Sequence, residues 1–206
     1  MKYIFFVIIS FFFLCESLIA NEIGFTISPI VQYSGSAQIY EDNDTVKFEK
    51  SGTPFSLYSI YGYFKLDYLR YEQYADDTQD VDEGSVVSMN DAIVLSGYYN
   101  FLNLMGNLNF FASLGIGSFQ SRVFLERSFY WITQEFHYTE TANSGGLGTV
   151  ISLGAKWIDD HSVLGFEIRK VEAQAFHDFN GSSAAIVSKI GDIGGIFFSI
   201  VAGVKF

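Results

Sequence analysis

Five charged residues stand among apolar neighbours: Arg70, Glu72, Lys156, Glu167 and Arg169. Charges of both signs in such settings can line an ion path. They can also pair with one another in a space too narrow for water, and the second use is the commoner one because a buried charge must be paired to be tolerated. A run of carboxylates, Asp76, Asp77, Asp80, Asp82 and Glu83, has the ligand type of a divalent-cation site. It lacks the closing Glu of a calcium loop, so solvation of an exposed segment explains it more simply. His137, His161 and His177 are too scattered to ligate one metal by spacing. Gly145-Gly146-Leu147-Gly148 resembles a phosphate loop without its Lys, and reads instead as flexible backbone entering a strand. No cofactor is implied.

What would position these residues is a set of strands. In Gly194 to Phe206 one register holds Ile196, Phe198, Ile200, Ala202, Val204 and Phe206, and the other holds Gly195, Phe197, Ser199, Val201, Gly203 and Lys205. A period of two with one wholly apolar side means a strand whose faces meet different surroundings. Asn21 to Tyr33 alternates likewise, with Ile23, Phe25, Ile27, Val31 and Tyr33 on one face; Pro29 falls in that register and predicts a bulge or irregularity. Leu108, Phe110, Ala112, Leu114 and Ile116 share a face, as do Ile151, Leu153, Ala155 and Trp157, and then Leu164, Phe166 and Ile168. Glu167 and Arg169 fall on the opposite side, with Lys156.

Three stretches beginning at Gly62, Gly97 and Gly154 run through aromatic residues into short turns. Between them lie longer polar segments, Ser34 to Thr53, Ala75 to Val86, Phe124 to Ser144 and Phe176 to Asp192. Short turns alternating with long loops are the pattern of up-and-down barrels in outer membranes. The strands expected are roughly 22–33, 54–64, 68–75, 88–101, 108–122, 146–158, 162–175 and 193–206, with a turn near Lys65 to Asp67 that no Gly or Pro marks. An even count returns both termini to one side. Trp157, Tyr63, Tyr99, Phe101 and Phe206 would form an aromatic girdle there.

Composition agrees with an exported membrane barrel. Residues 1–20 read as a cleaved signal peptide, with Lys2, an apolar run from Tyr3 to Leu14 and Ala20 at the cleavage position. The single cysteine, Cys15, lies within it, which excludes a disulfide framework from the remaining domain, 21–206. A formal charge of -11 argues against nucleic acid or an anionic lipid surface as partner. No mature segment reaches the roughly 20 apolar residues of a membrane helix, so a membrane-spanning form must be a closed barrel.

The terminal Phe206 with Val204 two residues before it resembles the signal by which the barrel-assembly machinery recognises outer-membrane barrels, although Val201 stands where that signal has Gly. With the alternating strands and the turn pattern, the mature chain resembles the small eight-stranded outer-membrane family that includes OmpX and the transmembrane part of OmpA. The resemblance implies an all-β, up-and-down antiparallel transmembrane barrel in the outer membrane of a diderm bacterium, with periplasmic termini and contacts to outer-membrane lipids and lipopolysaccharide. It implies a structural or surface-exposed protein, not an enzyme, that binds or adheres to an external or host ligand through its loops. Phe129, Tyr130, Trp131, Phe136 and Tyr138 are the candidate contact patch. A secreted, soluble lipocalin-like barrel would need the apolar residues of the strands to point inward, and two further alternatives stand beside it. One is a narrow pore. The other is a lipid A deacylase-like enzyme, since Phe176-His177-Asp178-Phe179-Asn180 is faintly similar to the His-x-Ser-Asn motif of that family; here Phe179 occupies the Ser position and leaves His177 no hydroxyl to activate.

Overall fold

The computed structural model describes residues 21–33, 36–38, 45–47, 52–77, 84–104, 106–131, 134–175 and 191–206. The proposed signal peptide, His177 and the carboxylates Asp80, Asp82 and Glu83 lie outside them. The described residues form eleven strands: β1 (Glu22–Tyr33), β2 (Ser36–Gln38), β3 (Thr45–Lys47), β4 (Phe55–Tyr61), β5 (Phe64–Asp77), β6 (Gly84–Leu104), β7 (Leu108–Trp131), β8 (Gln134–Asp159), β9 (Ser162–Ala175), β10 (Gly191–Asp192) and β11 (Gly195–Lys205). Eight of them close a barrel in the order β1, β4, β5, β6, β7, β8, β9, β11 and back to β1, every pairing antiparallel. The short β2, β3 and β10 attach above it through β9. The expected eight-stranded up-and-down barrel is the observed one.

The faces are those of a barrel turned inside out. Leu114 is 64% exposed, Phe166 58% and Ile200 54%, whereas Glu167, Arg169 and Lys156 are buried. Large side chains on this scale are left bare only where something other than water covers them. On β7 the apolar outer stripe runs from Leu108 to Ile116, about the 9–11 residues that a tilted strand needs to cross hydrocarbon. Tyr63, Tyr99, Phe101, Trp157 and Phe206 are all exposed at the end that carries the short turns. Glu22 pairs with Lys205 at that same end, so both ends of the sheet lie there.

Two expectations are corrected by register. The bulge at Pro29 is present, as a shift between Ile27 and Ile30 in the β1–β11 pairing. Its extra residue reverses the faces beyond it, so Ile30 points out and Val31 and Tyr33 pack against the interior cluster instead of continuing the outer stripe. The turn expected near Lys65 to Asp67 lies at Gly62 and Tyr63, where Gly62 adopts φ +58°, a left-handed conformation that glycine takes without strain. Lys65 and Asp67 are therefore strand residues, paired with Ile60 and Tyr58.

Placing a charge on the outer stripe tests this arrangement. Leu114→Arg should lose ~2–4 kcal/mol of stability in lipid vesicles, the cost of a cation near the bilayer midplane. Ser118→Arg, at the polar margin of the same strand, should lose under ~1 kcal/mol. Reversible urea unfolding in bilayers of defined thickness measures both, and equal losses would contradict the assigned faces.

Candidate functional site

Eight strands enclose only enough room for side chains, and this interior is filled in layers. Towards the turn end, Glu22 Oε1 accepts hydrogen bonds from Lys156 Nζ and from the Tyr58 hydroxyl, each at 2.7 Å. The Lys156 ammonium also lies 4.7 Å from the centroid of the Tyr98 ring and 4.9 Å from that of Phe111. Two glycines make room for Tyr58: a Cβ on Gly24 or Gly203 would stand 2.5 or 2.9 Å from its hydroxyl.

The next layer centres on Arg169. Its Nε donates to Glu167 Oε1 at 3.1 Å, Nη2 to Asp67 Oδ1 and Glu167 Oε2 at 3.2 Å each, and Nη1 to the Ser56 hydroxyl at 3.3 Å. Lys65 Nζ sits 3.3 Å from both Asp67 Oδ1 and Glu167 Oε1. Lys65, Lys156 and Arg169 thus face Glu22, Asp67 and Glu167, a balance of charge that lets every member be buried with a partner. Above them an apolar plug of Leu69, Tyr71, Ala92, Val94, Phe119, Val150, Val171, Ile193 and Phe197 crosses the interior. Tyr71 and Phe197 rings meet at 5.3 Å, the Tyr71 hydroxyl donates to the Ile193 carbonyl, and Gln73 Nε2 donates to that of Gly194. Gln73 in turn accepts from Asn90, whose neighbours Ser88 and Ser121 share a hydrogen bond.

Of the five charges singled out in the sequence, the structure brings Lys156, Glu167 and Arg169 into the interior and leaves Arg70 and Glu72 outside. Arg70 is on the outer face, its Nε 4.0 Å from Asp91 Oδ1, and Glu72 follows it on that face. The cause is the position of the Gly62 turn: β5 starts at Phe64, so its inward set is Lys65, Asp67, Leu69, Tyr71 and Gln73. Glu22, Tyr58, Lys65 and Asp67 were missed. The alternation of Phe64, Leu66 and Tyr68 around Lys65 and Asp67 carried the signal, hidden by the misplaced turn.

The proposed contact residues Phe129, Tyr130 and Trp131 are on β7 and Phe136 and Tyr138 on β8, so the segment Phe124 to Ser144 is not a loop but two paired strands that continue to Trp131 opposite Gln134. The side chains of those five lie outside the described residues. Within Ala75 to Val86 the described residues, 75–77 and 84–86, are likewise paired strand, ending at Asp77 opposite Gly84. Val204 and Phe206 stand on the outer face of the last strand. Among the described residues no group of His, Cys, Asp and Glu is arranged to hold a metal.

Closed antiparallel pairing, a bare apolar exterior and a charge-balanced interior define the class of protein: an eight-stranded β-barrel that spans a membrane. No protein-family model matches the chain, and no curated protein matches it. Among solved structures it is similar to the Neisserial surface protein A, with 10% identity over 91% of this chain and 98% of that one and a TM-score of 0.41. It is also similar to Ail, the attachment invasion locus protein of Yersinia pestis, with 8% identity, 91% and 100% coverage and a TM-score of 0.36. The outer membrane protease OmpT from Escherichia coli gives 11% identity, 90% and 95% coverage and a TM-score of 0.37.

The balance of the interior predicts a non-additive pair of substitutions. Arg169→Met should cost ~3–5 kcal/mol, because it leaves two carboxylates facing Lys65 alone. Adding Asp67→Leu leaves Lys65 paired with Glu167 and should restore much of the loss. Urea unfolding followed by gel mobility reads both; additive losses would show that Arg169 and Asp67 do not act as a unit.

Proposed function

We propose that this chain is an outer-membrane surface protein of a diderm bacterium, with periplasmic termini, that binds a partner outside the cell through strands standing above the bilayer. The observation that carries this reading is the height of one wall. β7 and β8 are 24 and 26 residues long, more than twice what the hydrocarbon requires. Beyond Ser118 the paired strands continue to Trp131, on the order of 40 Å of chain at ~3.3 Å per residue. β6 accompanies them as far as Gly84 opposite Arg127, and β5 pairs with β6 to the same level.

The opposite wall stops lower. β9 pairs with β8 only up to Ala173 opposite Gly148, and β4 with β5 only up to Arg70 opposite Phe55. Among the described residues nothing pairs with β8 from Gln134 to Leu147 on the side away from β7. An edge without a partner strand among the described residues invites an added strand, and the aromatic residues Phe129, Tyr130, Trp131, Phe136 and Tyr138 would supply contact area around it. The filled interior speaks against a conducting pore. The deacylase-like reading gains no support, since Phe179 still occupies the place of the nucleophile.

Replacing residues 124–144 by a two-residue turn should leave a heat-modifiable barrel and abolish adhesion of cells displaying the protein to host cells or matrix. Adhesion equal to that of the full-length chain would remove the function from this wall. In planar bilayers the intact protein should show no steps of porin size.

A further inference from the structure

Over its upper half β8 is an edge. Its pairing with β9 ends at Gly148 opposite Ala173, and β9 then carries β10 along the side it shares with β11. Among the described residues only β7 pairs with β8 from Gln134 to Leu147. Protein sheets guard such edges with Lys, with Pro, with a bulge or by keeping the strand short. None of these devices is used here. Residues 134–147 contain no Lys, Arg or Pro, and their register with β7 runs without a shift. The stretch from Glu135 to Ala142 holds instead Phe136, Tyr138, Thr139 and Thr141, residue types that favour strands. At the foot of the edge Leu147 is 81% exposed, the most exposed large hydrophobic side chain among the described residues, and it stands beside the polar Ser118.

The two registers of this edge differ in chemistry. Gly146 pairs with Phe119, which is buried in the plug, so the positions that follow in twos continue the register of the interior. On β8 that register reaches Ala142, Tyr138 and Phe136, and on β7 it reaches Val123, Leu125 and Phe129. The other register of the edge holds Asn143, Thr141, Thr139, His137 and Glu135. A strand laid along β8 therefore meets an apolar row on one side and a polar row on the other, and must itself alternate to match both.

Charge then selects the sign of its polar row. All but one unit of the formal charge of -11 falls in residues 34–53, 70–91, 118–147 and 170–192, which join or prolong the strands at the end away from the short turns. The edge itself contributes Glu135 and Glu140 and no cation. We infer that this edge takes an extended basic polypeptide segment with apolar residues at alternate positions. The inference rests on the reading of the tall wall as the binding part of the protein, and names the chemistry of what it binds. The acidic end steers a cationic chain towards the wall. Main-chain hydrogen bonds to β8 hold it, and the apolar row fixes which of its faces turns towards the mouth of the barrel. A second copy of this chain would bring the same negative end to the same edge and be repelled.

Hydrogen exchange and binding measured on the full chain in phosphatidylcholine nanodiscs, with heat-modifiable mobility to confirm the barrel, test this. The probe is a peptide of alternating Lys and Val, about eight residues long so as to span Glu135 to Ala142 at ~3.3 Å per residue. It should bind and slow amide exchange within residues 134–147, whereas a counterpart with Glu in place of Lys, and a version N-methylated on every amide, should not bind. Glu135→Lys with Thr139→Lys, which turns the polar row cationic, should weaken binding about tenfold. Binding without slower exchange in residues 134–147, or equal binding of the N-methylated peptide, would reduce the contact to charge alone and overturn the inference. Slow exchange there before any peptide is added would overturn it as well, in favour of another part of this chain if it persists on dilution and of a second copy if it fades. Loss of adhesion on removing residues 124–144 without any binding of the Lys-Val peptide to the intact protein would overturn the partner's chemistry alone and leave the wall as the binding part.

Discussion

Hydrocarbon offers no hydrogen-bond partner, so every backbone N–H and C=O that crosses it must be paired within the sheet. The pairing of β1 with β11 satisfies that condition, from Glu22 opposite Lys205 to Ile27 opposite Ile200 and, past the bulge, to Tyr33 opposite Gly195. Once the first and last strands must meet after eight, the interior is narrow, and its width decides what the inward residues can be. Wherever Tyr58 or Phe119 occupies the middle, the positions around its ring carry glycine, Gly24 and Gly203 for the one and Gly117 and Gly148 for the other. Large and small residues thus share a cross-section that could not hold two large ones.

The same narrowness explains why charge is buried at all. The outward face of each strand must be apolar over the membrane, so polar residues that the chain carries at this depth have only the interior to occupy. Six ionised groups there are tolerable because they are matched in number and held within hydrogen-bonding distance, with Arg169 reaching two carboxylates and a hydroxyl at once. Replacement by well-packed apolar residues is often neutral or stabilising, so the network is better read as a condition of filling a narrow polar lumen than as a source of surplus stability. The plug of Tyr71, Phe119 and Phe197 then separates these charges from the mouth, where Gln73 and Asn90 take over.

The eight crossings were legible because each had a face in contact with lipid. Leu108 to Ile116 and Ile196 to Val204 state their register in the sequence, since period two with one greasy side admits one reading. Where a single residue is inserted, the parity after it is lost to inspection: Pro29 announced the bulge, yet Val31 and Tyr33 still looked like a continuation of Ile23, Phe25 and Ile27. On β5, Leu69 and Tyr71 point inward and Arg70 and Glu72 outward, the reverse of the polarity rule that holds lower down, because the strand leaves the hydrocarbon there while its interior becomes apolar. Partners across the barrel such as Glu22 with Lys156, or Lys65 with Glu167, are far apart in sequence, and spacing along the chain holds no trace of them.

Above the membrane the constraint changes sign, and this accounts for the largest difference between sequence and structure. From Ser118 onward the outward register of β7 turns polar at Ser118, Gln120 and Arg122, so the lipid-facing stripe that marks the lower strand ends although the backbone still pairs rung by rung to Trp131 opposite Gln134. In water an unpaired backbone can bond to solvent, so the sheet is no longer obliged to close, and β8 parts from β9 at Gly148 without the cost that would follow a few residues lower. An open edge is excluded within the bilayer and permitted only above it. Pairing between β8 and β9 therefore stops where the outward apolar stripe ends, just above Thr149 opposite Glu172, and the tall wall of β7 and β8 is the part of the chain released from the requirement that shapes the rest.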